Sequence, residues 1–130
     1  MGEKSGFTLI ELILVTVILG ILAGSVTLTF RGRAEKARIN RAKADIANYN
    51  TAIETYALEH NDRYPKSLKD LEGNYVRDVK PDPWNNPYIY ECPGSMHPES
   101  YDVYSSGPDG IKGNADDVTE LSADPMAVQD

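Results

Sequence analysis

The sequence predicts an α+β fold in which one long N-terminal helix packs on a small antiparallel β-sheet. Three patterns indicate this arrangement: residues 12–30 carry no formal charge, an apolar stripe with helical spacing follows, and two short tyrosine-rich runs lie in the second half of the chain. A helix with an apolar stripe and a sheet with an apolar face each need a partner to cover that surface. We therefore expect the helix and the strands to pack against each other.

The apolar segment at residues 12–30 has the length of a membrane span. Its 19 uncharged residues would form a helix about 28 Å long, close to the ~30 Å of a bilayer core. Backbone groups in lipid need internal partners, which favours a helix. The residues alone allow three interpretations: a secretory signal cleaved near Leu22–Ser25, a plain membrane anchor, or an anchor that also serves in assembly.

Charge is distributed unevenly along the 130 residues. A basic collar at residues 31–43 contains six bases and one acid, whereas residues 44–130 contain 17 acids and 6 bases. The net charge of -7 and the pI of about 4.8 argue against a general nucleic-acid binder. The single cysteine, Cys92, excludes an intrachain disulfide, and two histidines leave no ordinary zinc site. We expect Cys92 to be buried next to a strand end.

Glu11 is the one charged residue inside the apolar run of residues 7–30. A carboxylate in lipid costs at least ~2.5 kcal/mol on insertion scales, so such residues usually have a partner. Glu11 lies either among lipid headgroups or against a cation inside an assembly. Cleavage before Phe7 would create such a cation as a new α-amino group.

The segment Gly6-Phe7-Thr8-Leu9-Ile10-Glu11, after a short leader containing Lys4, resembles the class III signal of type IV pilins and pseudopilins. The resemblance implies that a prepilin peptidase cleaves after Gly6 and that Phe7 is N-methylated. It also implies that Glu11 guides assembly by pairing with the Phe7 amine of a neighbour. The positive-inside rule points the other way, because it places the basic collar in the cytoplasm and the resemblance places it outside.

The helix is expected to run from about Phe7 to about Glu59. Beyond the membrane its apolar residues are spaced by three and four, which is one stripe on a helix: Ile39, Ala42, Ile46, Tyr49, Ile53 and Tyr56. A short coiled coil has the same pattern. We favour packing on the chain's own strands, since those strands need cover.

The second half reads as short elements separated by turns. Asn61–Pro65 ends the helix, because the residue before a proline avoids helical angles. Ser67 is a cap for a short helix that extends to Leu71. Strands are predicted at Tyr88–Cys92 and Tyr101–Ser105, with a third at Val118–Leu121. Trp84 is expected to be a core aromatic residue.

Three motifs in this half extend the resemblance over almost the whole chain. They are similar, in their order and in their residues, to elements of the major pseudopilins (core protein G) of type II secretion systems. The three motifs are Asn61–Pro65, Asp82–Tyr88 and the loop from Ser105 to Asp117. Two departures are a short segment at Lys66–Lys80 and the absence of an aromatic ending after Val118. The resemblance implies a pilin-like fold.

The loop at residues 109–117 concentrates oxygen donors around two glycines. Calcium takes six to eight oxygen ligands, which such a loop can supply. The spacing is not that of an EF-hand. The chemistry alone leaves a solvated acidic turn and a metal site both open. The resemblance implies a structural calcium ion held by side chains of Asp109, Asp116 and Asp117 and by the carbonyls of Ser106 and Asn114.

The resemblance also implies a function and a domain plan. Residues 1–6 would be a cleaved leader, 7–30 a transmembrane helix, 31–60 the soluble half of the helix and 61–130 a globular periplasmic domain. The chain would be a non-enzymatic subunit of the pseudopilus, anchored in the bacterial inner membrane. Its implied partners are further copies of itself, minor pseudopilins, the inner-membrane assembly platform and the prepilin peptidase.

Two alternatives belong to other functional classes. One is a type IV pilin of a surface fibre used in adhesion or motility, although a single cysteine forbids the disulfide loop of many such pilins. The other is a tethered hydrolase, which is disfavoured because the sequence has neither a GxSxG motif nor a cluster of metal ligands. A phosphate-binding loop is also lacking, so energy for export would come from a separate ATPase.

Overall fold

The structure is a computed structural model that describes Gly2 and residues 5–122, without the side chains of residues 27–29. Lys4 of the predicted leader and residues 123–130 of the predicted globular domain lie outside the described residues. Within these residues four elements follow in order: helix α1 (Leu9–Glu59), a 3₁₀ helix (Leu68–Leu71), strand β1 (Ile89–Glu91) and strand β2 (Asp102–Tyr104). The backbone divides into two compact units, Met1–Glu35 and Lys36–Asp130.

Helix α1 ends where the sequence predicts. The N–H of Asp62 donates to the carbonyl of Ala57 at 2.8 Å, and Asn61 has a φ of 58°. This six-to-one bond around a left-handed residue is the Schellman arrangement, which satisfies the last carbonyls of a helix. Asp62 is itself left-handed, with a φ of 59°. The predicted end at Glu59 is therefore confirmed, and the helix begins two residues after the predicted Phe7.

The core of the second unit forms where the apolar stripe of α1 meets the chain that follows it. Ile46 and Ile53 are fully buried on the helix, and Leu71 is fully buried in the 3₁₀ helix. The rest of the cluster includes Ala42, Tyr49, Tyr88, Val103 and Val118. The stripe therefore packs on the chain's own sheet, as predicted. Trp84 is half-buried and packs against the edge of this core.

Strands β1 and β2 pair antiparallel, with Tyr90 opposite Val103. Each is one residue shorter at both ends than the sequence predicts. The predicted third strand at Val118–Leu121 is wrong. Val118 makes a single antiparallel bridge to Ser105, and the chain then turns, because the N–H of Ser122 donates to the carbonyl of Thr119 at 3.2 Å.

Two local predictions have opposite outcomes. The short helix after Ser67 is confirmed as a 3₁₀ helix, whose start is fixed by the Asp70 carboxylate accepting the N–H groups of Lys66 and Ser67, both at 3.0 Å. The expectation that Cys92 is buried is wrong, because its side chain is exposed at the end of β1. The strand stops one residue earlier than predicted, so Cys92 begins the loop to β2.

Candidate functional site

The start of α1 is built by a reciprocal pair of hydrogen bonds. The N–H of Thr8 donates to Oε2 of Glu11 at 3.0 Å, and the N–H of Glu11 lies 3.4 Å from the Thr8 hydroxyl oxygen. This is a capping box, in which a Ser/Thr and a Glu three residues later satisfy free N–H groups at a helix start. Glu11 therefore has a local structural role that the sequence prediction missed, although the T-x-x-E spacing signals it.

Phe7 lies just before this cap and is 84% exposed, and Gly6 is exposed beside it. A peptidase would thus find the Gly6–Phe7 bond outside the helix, where the backbone is not held in helical hydrogen bonds. The structure keeps Phe7 and the Glu11 carboxylate on the same short segment at the positive end of the helix dipole. An anion at this end is favoured whether or not a neighbour supplies a cation.

The apolar part of α1 exposes its side chains. One 18-residue window has a mean hydropathy of 2.5 and none of it is buried, which makes α1 the one helix in the described residues long and apolar enough to cross a membrane. Exposed large apolar side chains run from Leu9 to Phe30, including Ile13, Val17 and Ile21. Burying this surface requires lipid or other helices.

The acidic loop (residues 106–117) follows β2 and folds around its own polar side chains. Asp109 accepts the N–H of Ile111 at 2.9 Å and the side-chain amide of Asn114 at 2.6 Å. Asp116 accepts the N–H of Asp109 at 3.4 Å. Asp117 accepts the N–H of Gly113 at 2.7 Å. The loop thus brings four of the five predicted calcium ligands into one hydrogen-bonded turn.

One oxygen in this loop has no partner among the described residues. Oδ1 of Asp117 is buried and accepts no hydrogen bond. A buried carboxylate oxygen without a partner is costly, so it is a natural position for a cation or a water. As placed, no group of three His, Cys, Asp or Glu side chains in the described part of the chain is close enough to hold a metal ion. The oxygen donors and the unpartnered Oδ1 fit calcium, but the carboxylates are not gathered around one centre, so the calcium site stays a prediction.

A buried carboxylate, that of Asp82, stabilises the start of the acidic loop. Asp82 is 3% exposed, accepts the hydroxyl of Ser105 at 2.5 Å, and accepts the N–H groups of Trp84 and Asn86 at 3.0 and 2.8 Å. The Ser105 hydroxyl oxygen in turn accepts the N–H of Gly107 at 3.1 Å. Asp82 thus ties its own turn to the first residues of the acidic loop. Sequence reasoning recognised the Asp82–Tyr88 motif without giving Asp82 this role.

Gly107 is the tightest point of the loop. Its φ is 67°, and a Cβ at this position would lie 2.2 Å from the carbonyl oxygen of Asp116. That distance is far below a van der Waals contact, so only glycine fits without a shift of the backbone. The close approach joins the two ends of the loop.

An ion pair holds the middle of the loop to the sheet. Nζ of Lys112 lies 3.3 Å from Oε1 of Glu91 in β1. The Glu91 carboxylate also accepts the hydroxyl of Ser95 at 2.5 Å. The Ser95 bond and the Lys112 bond lower the pKa of Glu91 below its ordinary value. Glu91 therefore stays ionised and available to Lys112 at neutral pH.

The turn between the strands is fixed by a second buried carboxylate. Asp102 accepts the N–H of Met96 and lies against Nδ1 of His97, both at 2.6 Å. Burial acts to raise the pKa of Asp102, but the hydrogen bonds from His97 and Met96 outweigh it and keep the pKa below its ordinary value. The His97 ring is exposed, and its contact with Asp102 helps to hold this turn.

Comparison with known proteins places the chain. The prokaryotic N-terminal methylation motif matches residues 1–27, and the family of type II secretion system (T2SS) protein G matches residues 29–124. The chain belongs to the type II secretion system protein G family. It is 38% identical to the type II secretion system core protein G of Pseudomonas aeruginosa, over 92% of this chain and 94% of that protein. The protein of the same name from Escherichia coli K12 is 34% identical over 90% of both chains.

Family membership confirms the resemblance drawn from the sequence, and the structure confirms the α+β arrangement of a long helix on a two-stranded antiparallel sheet. The methylation motif covers Gly6, Phe7 and Glu11 in one match. The apolar helix in this family is consistent with a membrane anchor that carries a globular domain.

Proposed function

We propose that this chain is a structural subunit of the pseudopilus of a type II secretion system, and that it polymerises to drive export of folded proteins across the outer membrane. The observation that carries the proposal is the order of two matches on one chain, the methylation motif at residues 1–27 directly ahead of the protein G family at 29–124. This membership favours the secretion role over a surface fibre. The work is mechanical, and no catalytic role is assigned to any residue.

Assembly would begin from a store of anchored subunits. The apolar part of α1 would lie in the inner membrane with the globular unit in the periplasm, after the prepilin peptidase cuts between Gly6 and Phe7 and methylates Phe7. Glu11 would then attract the positive N-terminus of an arriving subunit, because a charge pair in low dielectric is strong. Further partners would be minor pseudopilins and the inner-membrane assembly platform.

A structural calcium ion would complete the acidic loop. Asp109, Asp116 and Asp117 would supply carboxylate oxygens, and Ser106 and Asn114 would supply carbonyls. Two features support this assignment: the hard oxygen donors and the unpartnered Oδ1 of Asp117. Calcium suits such a donor set and a compartment where it is abundant. When bound, the ion would neutralise three carboxylates that otherwise repel one another.

Deletion and complementation test the function. Cells without the gene should retain secreted proteins in the periplasm, and the wild-type gene should restore their release. Mass spectrometry of the purified chain should find a mature N-terminus at a methylated Phe7. Normal secretion in the deletion strain would refute the role, and an intact leader would refute the processing.

Two matched variants test Glu11. Glu11→Gln keeps a side chain that serves in a capping box but removes the charge, and Glu11→Ala removes both. If the charge guides assembly, both variants should remain in the membrane and fail to form filaments. Filaments from Glu11→Gln at the wild-type level would leave the cap as the only role of this residue.

The native cysteine tests orientation without any new mutation. Cys92 is exposed and is the only cysteine in the chain. A maleimide that crosses the outer but not the inner membrane should label it in whole cells, with Cys92→Ser as the blank. Labelling only after the inner membrane is broken would place the globular unit in the cytoplasm, as the basic collar and the positive-inside rule predict.

A further inference from the structure

The second unit carries a groove whose charge is opposite to that of the unit as a whole. The groove has a volume of about 540 Å³ and lies between the 3₁₀ helix and the segment that leads into β1. Three of its lining residues are lysines, Lys66, Lys69 and Lys80, and none of the described residues that line it is acidic. This is unusual in a region with 17 acids and 6 bases.

The lysines of this lysine groove are largely available. No described carboxylate lies within ion-pair distance of Lys66 or Lys69, and Lys80 has one exposed pair, with Asp78 at 3.9 Å. Between the lysines, the walls are apolar and aromatic, formed by Pro81, Pro87, Tyr88 and Tyr90 among others. Such a surface fits a peptide that combines acidic and apolar side chains.

The chain itself contains a segment of that chemistry. Residues 120–130, here called the acidic segment, have three acids and no base, with Leu121, Met126 and Val128 between them. Its first residues are on the surface: Glu120 is exposed and Leu121 is 91% exposed. Its charge is complementary to that of three lysines, and its apolar residues match the groove walls.

The described start of the acidic segment, Glu120 to Ser122, lies against one flank of α1. Lys43 donates to the carbonyl of Ser122, and Asn50 donates to Glu120 at 2.6 Å. These two helix residues are seven apart and share one flank. The opposite flank, at Asp45 and Tyr49, bonds Tyr88 and Lys80, which line the groove.

We infer that the lysine groove of one copy binds the acidic segment of a second copy. This inference rests on the proposed function, since a contact between two different surfaces can repeat head to tail from copy to copy along a filament. Lys66 and Lys80 would pair with acids of the neighbour, and its apolar residues would cover Pro87 and Tyr90.

Cysteine cross-linking in filaments of the full chain tests this contact. In a Cys92→Ser background, one tagged copy carries Lys69→Cys and a differently tagged copy carries Met126→Cys, both diluted into filaments of the Cys92→Ser chain. Oxidation should give a heterodimer joining the two tags. Arg77→Cys is the matched control, because Arg77 is an exposed base of the same stretch that does not line the groove, and it should give little heterodimer.

Charge-reversal variants test whether electrostatic attraction holds the two copies together at this contact. Lys66→Glu together with Lys80→Glu on the first copy should lower the heterodimer yield roughly tenfold, the size expected when two exposed ion pairs become repulsive. Asp124→Lys together with Asp130→Lys on the second copy should restore it.

The possible failures can be told apart. Filaments with no heterodimer above the Arg77→Cys control would refute the groove contact and leave the proposed function intact. A further chain carries both Lys69→Cys and Met126→Cys. If its disulfide forms only within the same chain, the acidic segment binds the groove of its own copy, which would refute the contact between copies. Absence of filaments from the unaltered chain would refute the proposed function itself.

Discussion

Gly107 provides the sharpest test of how the acidic loop is built. We expect Gly107→Ala to destabilise the globular unit by at least about 3 kcal/mol. About 1 kcal/mol of this comes from forcing a side chain into the left-handed region. The remainder comes from the overlap, since the new Cβ would lie 2.2 Å from the Asp116 carbonyl oxygen and the backbone must move to release it.

Gly113→Ala is the matched control. Gly113 lies in the same loop with a φ of 89°, but nothing lies within 4 Å of where its Cβ would be. This variant should lose only about 1 kcal/mol, from the backbone term alone. The difference between the two variants therefore isolates the close approach of Gly107 to Asp116.

Thermal unfolding of the full chain in detergent measures both variants. Trp84 is the only tryptophan and lies in the turn that Asp82 ties to the loop, so its fluorescence reports on this region. A loss of about 3 kcal/mol in a unit of this size lowers Tm by roughly 10 °C or more, against about 5 °C for the control. Equal shifts for the two variants would refute the packing argument.

Three further predictions concern single carboxylates. A chelator should lower the Tm of the wild-type chain and added calcium should restore it, whereas Asp117→Asn should show little response to either; an unchanged wild-type curve would remove the calcium site. Asp62→Gly should stabilise the chain by about 0.5 kcal/mol in denaturant unfolding, because glycine adopts the left-handed angle of 59° without strain, while Glu99→Gly at an exposed site with ordinary φ should not. Asp102→Asn should cost about 1–2 kcal/mol at pH 7. Because the pKa of Asp102 is lowered on folding from 3.8, that cost should shrink as the pH falls below the unfolded value and disappear below the folded pKa. A cost that is independent of pH would contradict this role.

The helix and the sheet could be predicted because the spacing of apolar residues along the sequence indicates each of them. The spacing of Ile46, Tyr49 and Ile53 identifies the buried face of α1 before any contact is known, and all three are buried. The left-handed pair Asn61 and Asp62 explains why the helix stops before Pro65. These features depend on residues close together in the sequence, so they can be predicted from one sequence.

Long-range polar contacts could not be predicted in the same way. The Asp82–Ser105 hydrogen bond joins residues 23 positions apart, and nothing in either local sequence indicates the other. The same limit explains the wrong third strand. Valine favours strands, but only the bridge from Val118 to Ser105 and the turn at Thr119 show that pairing stops there. The acidic loop was predicted as a ligand set, while its support from Asp82 was not.

Glu11 shows why a local role and an assembly role are compatible at one residue. In the free subunit its carboxylate accepts the N–H of Thr8, which satisfies a helix start that lipid could not solvate. A carboxylate has two oxygens and room for several donors, so a neighbour's amine can bind without displacing that hydrogen bond. The cap also holds the carboxylate at the first turn of the helix, where an arriving N-terminus would meet it. Capping would then be what positions the charge for assembly, and a variant that keeps the cap but loses the charge separates the two contributions.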